Sequence, residues 1–81
     1  MNDTIEIDAT GLLCPLPVLR LRKNIESLKR GTVIIFLADD PAAAIDIPYF
    51  CAETGHKIIS VSDLPGPNDI GQTKKYIIRT N

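Results

Sequence analysis

The run Thr32-Val33-Ile34-Ile35-Phe36-Leu37-Ala38 constrains the fold more than any other segment of this chain. It is continuous, apolar and rich in β-branched residues, the pattern of a strand in the interior of a sheet. Three further strand patterns accompany it. Thr4-Ile5-Glu6-Ile7-Asp8 alternates apolar and polar residues, as a strand half-buried against a core does. His56-Lys57-Ile58-Ile59-Ser60-Val61-Ser62 reads as a third strand and Lys74-Lys75-Tyr76-Ile77-Ile78-Arg79-Thr80 as a fourth.

Two helical patterns lie between these strands. Val18, Leu21, Ile25 and Leu28 fall at spacings of three and four, with Leu19 broadening the stripe and Arg22, Lys23 and Glu26 on the other side; this predicts an amphipathic helix closed by Gly31. In Asp39-Asp40-Pro41, Asp40 is placed to act as N-cap and Pro41 as the first helical residue of a second helix running to about Thr54 and ending at Gly55. Pro48 lies inside it, which predicts a kink or two shorter pieces, the second starting near Ile47. Asp63 through Thr73 is a loop long for a hairpin. The order βαβαββ implies an α+β fold, a two-layer sandwich with a four-stranded mixed sheet and two helices on one face. Strands joined through helices should run parallel and the last two should form an antiparallel hairpin.

The 81 residues suffice for a single domain, 1–81, with one modest core. No apolar run approaches the roughly 20 residues that span a bilayer, and Met1-Asn2-Asp3-Thr4-Ile5-Glu6 lacks the basic start of a secretory signal. A cytoplasmic protein without membrane attachment is expected. The net charge of −1 argues against a dedicated nucleic-acid binder. Charge is nonetheless uneven. Arg20, Arg22, Lys23, Lys29 and Arg30 follow one another on and after the first helix, whereas Asp39, Asp40, Asp46 and Glu53 belong to the second. These are either two solvated faces or a basic docking face, formed by Arg20, Arg22 and Lys23, for an acidic partner.

Chemistry concentrates in Thr10-Gly11-Leu12-Leu13-Cys14-Pro15-Leu16-Pro17. Prolines in a first helical turn are tolerated because N–H groups there have no intrahelical partner. Cys14 therefore belongs at or next to an N-cap, where the helix dipole favours a thiolate. Pro15 and Pro17 supply no N–H donors, so the acidification should be modest and the prolines should serve mainly to present the thiol. Cys51, mid-helix beside Phe50, reads as a small buried hydrophobe. Two cysteines and His56 are too few for a closed zinc site, and no C-x-x-C pair is present. Asp39, Asp40 and Asp46 could be taken for a metal cluster, but capping explains Asp40 and the helix start explains its neighbour. His56 could serve as a base for Cys14, or complement a helix C-terminus. A triad enzyme with a deep pocket is hard to build in so small a chain.

Asp8-Ala9-Thr10-Gly11-Leu12-Leu13-Cys14-Pro15-Leu16-Pro17, with Ala38-Asp39-Asp40-Pro41, Asp46-Ile47-Pro48, Cys51 and Gly55-His56, resembles the TusA/SirA/YedF family of sulfur-carrier proteins over nearly the whole chain. The resemblance implies the same βαβαββ sandwich and a transient persulfide on Cys14, with Gly11, Pro15 and Pro17 as presenting residues and no other cofactor or metal. It implies a sulfurtransferase-type carrier rather than a stand-alone enzyme. A cysteine desulfurase or rhodanese-like protein would be the donor, and a downstream protein the acceptor, in tRNA 2-thiouridine synthesis or another sulfur pathway. A monomer with no direct nucleic-acid contact is expected. Leu16 stands where carriers of the tRNA pathway often have glutamate, and the segment Pro65–Thr73 looks longer than in compact members. The competing reading is a non-catalytic interaction or regulatory module docking through the basic first helix.

Overall fold

The computed structural model describes residues 3–64 and 73–81. Its elements follow in the order β1 (Thr4–Asp8), α1 (Leu16–Ile25), β2 (Val33–Ala38), α2 (Ala43–Thr54), β3 (Lys57–Asp63) and β4 (Lys74–Arg79). They form a two-layer α+β sandwich whose sheet order is β1-β2-β4-β3. β1 and β2 are parallel, and β4 runs antiparallel to both β2 and β3. The strands on either side of each helix thus share a direction. Most of the predicted long loop lies outside the described residues.

One row of side chains explains why the sheet closes on the helices. Ile7, Phe36 and Tyr76 are paired across β1, β2 and β4, and all three are buried. The next row, Ile5, Ile34 and Ile78, faces the same way. Against these rows pack Leu21 from α1 and Ala43, Ile47, Phe50 and Cys51 from α2. Removing such side chains from water is the main favourable contribution to folding. β2 lies inside the sheet, between β1 and β4, yet only alternate residues, Ile34, Phe36 and Ala38, are fully buried. Val33, Ile35 and Leu37 are half-buried on the open face.

The helices differ from the sequence expectation in three ways. α1 ends at Ile25 with Glu26 as its cap, well short of Gly31. Asn24 Nδ2 donates to the Arg20 carbonyl and Ser27 Oγ to that of Asn24, local side-chain bonds of the kind that compete with a continuing helix. The Ser27 and Leu28 N–H groups then turn to carbonyls three residues back, as in a tightened final turn. Leu28 still packs against the core. Secondly, α2 is one continuous helix across Pro48 rather than two pieces. Pro48 is exposed, as is Ala44, so the carbonyl that loses its N–H partner can be served by water. Thirdly, the N-cap of α2 is Ala42, with no side-chain cap; the Asp40 carboxylate is used elsewhere. Thr32, His56 and Thr80, expected within strands, fall just outside the observed ones, and Asp63 joins β3.

Gly55 closes α2 as predicted, at φ 85°, with its N–H donated to the Cys51 carbonyl at 2.9 Å. A Cβ there would lie 2.9 Å from Asn81 Nδ2 and would require a left-handed backbone that L-residues disfavour. Gly55→Ala is expected to cost about 1–2 kcal/mol, read as a lower urea midpoint. An unchanged midpoint would mean that the backbone here relaxes freely.

Candidate functional site

Because β1 and β2 are adjacent and parallel, the segments leaving their C-terminal ends emerge side by side. One carries Gly11 and Cys14, the other Asp39 and Asp40. Two carboxylates join them. Asp39 accepts the Gly11 N–H at 3.0 and 3.1 Å through its two oxygens, and Asp40 Oδ2 accepts the Cys14 N–H at 2.9 Å. Gly11 turns the chain at φ 80°, which is glycine's conformational niche. Asp8 fixes the start of the same turn: Thr10 donates to Asp8 Oδ1 from its N–H at 2.9 Å and its hydroxyl at 2.6 Å.

Those Thr10 bonds, the hydroxyl first, hold the Asp8 carboxyl below its ordinary value. A carboxylate depressed on folding adds stability that is complete above its unfolded pKa and disappears as pH falls through the folded one. Thr10→Val should therefore be less stable than the parent at neutral pH, with the difference closing in acid. Urea unfolding at the two pH values checks this; a difference that widened in acid would contradict it.

Cys14 is exposed and free, and Cys51 is free and buried. Pro15 is the N-cap of α1, and Leu16 and Pro17 follow in the first turn, as the sequence predicts. The Cys14–Pro15 peptide is cis. The Leu16 N–H is already donated to the Leu13 carbonyl at 2.8 Å, and the prolines have none, so no amide of these three residues is free for the sulfur. Instead Cys14 Sγ donates to Asp46 Oδ2 at 3.2 Å. That bond, with desolvation and the charges of Asp46 and Asp40, raises the thiol above its ordinary pKa. The expected acidification by the helix dipole is thus overturned. A helix terminus carries about half a charge, and a full carboxylate charge in contact outweighs it. Burial pushes Cys51 up to about 11, consistent with a residue of the core.

The predicted docking cations are distributed over the helix rather than gathered on one face. Arg20 Nη1 donates to the Asp8 carbonyl at 2.9 Å, tying α1 to the end of β1. Arg20 and Lys23 line a shallow groove with Leu12, Leu16 and Leu19. Arg22 lies in a different groove, beside Cys14, with its guanidinium 4.9 Å from the centre of the Phe50 ring. Asp46, Tyr49 and Glu53 of α2 complete that groove. His56 is engaged at the other end of α2, where its Nδ1 accepts the Asn81 N–H at 3.0 Å; the Cys14 thiol is bonded to Asp46 and not to it. Among the described residues no group of three or more His, Cys, Asp or Glu is arranged to hold a metal ion, and no helix is long and apolar enough to cross a membrane.

The placement of Cys14 and its prolines at a helix start was legible in the sequence; the carboxylates that hold them were not. Asp39, Asp40 and Asp46 were explicable one by one as helix-start residues. The available signal was their redundancy, since one N-cap needs one carboxylate.

A small α+β sandwich that presents a single exposed thiol at a proline-fixed helix start defines a recognisable class. The chain matches the family described as sulfurtransferase TusA over residues 5–79, and it belongs to that family of sulfurtransferases and sulfur carriers. It is 42% identical over 60 residues to a candidate sulfur carrier protein of Neisseria meningitidis serogroup A, covering 74% of this chain and 81% of the relative. A serogroup B counterpart matches equally. The crystal structure of a SirA-like protein from Desulfitobacterium hafniense superposes with a TM-score of 0.67 at 27% identity, covering 95% of this chain and 99% of that one.

Proposed function

We propose that the protein carries sulfane sulfur as a persulfide on Cys14, taking it from a donor protein and passing it to an acceptor thiol. The observation that carries this reading is the division of labour between the two cysteines, one exposed at a helix start and the other sealed in the core. The sulfur-carrier names of the relatives support it.

In the loading step the Cys14 sulfur attacks the outer sulfur of a donor persulfide. The new bond joins Cys14 Sγ to that sulfur, the donor's S–S bond breaks, and the donor cysteine leaves as a thiolate that takes up the proton lost by Cys14. One sulfur atom moves and there is no net oxidation, as in thiol–disulfide exchange. Discharge repeats the step with an acceptor thiolate as nucleophile. A cysteine desulfurase or a rhodanese-like protein supplies the required donor chemistry, and a reducing compartment such as the cytoplasm keeps both cysteines free. Exposed Leu13 and Leu16, which flank Cys14–Pro15 in the chain, and Tyr49, in the groove with the thiol, offer apolar surface to a protein partner. They suit a monomeric carrier visited by several enzymes, for tRNA 2-thiouridine or another sulfur product.

Isotope-labelled sulfur tests the transfer. Protein loaded by a desulfurase with labelled cysteine, then freed of donor, should lose its label to an acceptor thiol. Label that is never acquired, or never passed on, contradicts the reading.

A further inference from the structure

The carrier reading leaves unexplained why a thiol meant to react is held by a carboxylate. Asp46 is on α2, in sequence far from Cys14, and its Oδ2 lies 3.2 Å from Sγ. It is part-buried in the groove wall, and no ion pair among the described residues engages it. We infer that Asp46 is a positioning residue for Cys14: it accepts the S–H of the empty carrier, keeps the sulfur in its thiol form, and so withholds the nucleophile from stray electrophiles. The biological meaning of this device rests on the carrier reading; its chemistry does not.

The charges around the sulfur support that assignment. From the β2–α2 segment, Asp40 adds negative charge while bonded to the Cys14 N–H. From α2 come Asp46 itself, Glu53 and the titratable Tyr49, and from α1 comes Arg22. Arg22, a cation in that set, lies over the Phe50 ring, whereas Asp46 is in direct contact with Sγ. Anionic groups therefore dominate the immediate surroundings, and ionising Cys14 would place a second negative charge against Asp46. A thiolate is the form that attacks carbon or sulfur. Holding the proton slows every such attack until a docking partner alters the contact.

The test is the pH profile of alkylation by iodoacetamide, followed on the Cys14 peptide by mass spectrometry in the folded protein. Asp46→Asn should move the midpoint to lower pH and raise the rate at neutral pH, about tenfold for each unit of displacement. Asp46→Ala must move it the same way, because an asparagine amide can itself donate to a thiolate. Asp46→Glu should return the midpoint towards that of the parent. Midpoints unchanged or higher in Asp46→Asn and Asp46→Ala would overturn the assignment. The parent protein gives a test without substitution: its midpoint should be higher when folded than in urea, and an equal or lower value would overturn the assignment as well. No sulfur donor enters these measurements. Failure to load sulfur with the shift intact would remove the carrier reading alone, and loading without the shift would remove the role of Asp46 alone.

Discussion

Replacing Cys14 with serine is expected to abolish sulfur loading. In a mixture of desulfurase, cysteine and carrier, the parent should gain the mass of one sulfur atom and Cys14→Ser should gain nothing. A serine hydroxyl stays protonated at any accessible pH and cannot form a persulfide. Cys51 cannot substitute for the lost group. Its side chain is 2% exposed, and burial holds its thiol up to about 11, so both access and ionisation are denied. Cys51→Ser should load normally, provided that the core tolerates the hydroxyl. Loading that survived in Cys14→Ser and vanished in Cys51→Ser would reverse the assignment of the two cysteines.

The second large effect is on stability. Phe36 is fully buried at the centre of β2, paired with Ile7 on one side and Tyr76 on the other. Its ring centre lies 6.2 Å from that of Tyr76, tilted by 56°, an arrangement that adds to simple burial. Phe36→Ala removes that contact and leaves a cavity between sheet and helices, at a cost of about 3–5 kcal/mol. Folded domains hold only about 5–15 kcal/mol in total, so much of the margin disappears. The melting temperature of a domain this small should fall by roughly 12 °C or more. Ile59→Ala is the control. Ile59 sits at the register shift of β3 and is 52% exposed; surface changes of this kind usually stay within about 0.5 kcal/mol. A cost below about 1 kcal/mol for Phe36→Ala would contradict the core described here. The consequence reaches the site, because the Cys14 and Asp39–Asp40 segments both hang from strand ends that Phe36 helps to join.

The strands were legible because their patterns are local. The alternation of Thr4–Asp8 and the β-branched content of β2 and β4 need only a short window, and β1 was read with the bounds it has. Cys14 was legible for the same reason, since its two prolines announce a helix start at that place. The helix ends were less so. A stripe that includes Leu28 looks like a helix to Gly31, yet the Ser27 and Leu28 N–H groups reach only three residues back, and Leu28 keeps its core contact from a turn. Least visible were the acids. Asp39, Asp40 and Asp46 meet the Cys14 loop from 26 to 32 residues away, and each has a satisfactory local explanation. What would have linked them is topology. Adjacent parallel strands place the loops after their C-terminal ends together, so a prediction of β1 beside β2 already brings Asp39 and Asp40 to Gly11 and Cys14. The direction of the thiol's pKa depended on that contact, and for that reason the helix dipole alone pointed the wrong way.

The central claim is that sulfur resides on Cys14. Its most direct test is peptide mapping of the parent protein after loading by a desulfurase, with persulfides trapped by an alkylating agent before digestion. The extra sulfur should be found on the peptide containing Cys14 and be absent from the one containing Cys51. Sulfur on Cys51, or none on either cysteine under conditions that load another carrier of the family, would contradict the account.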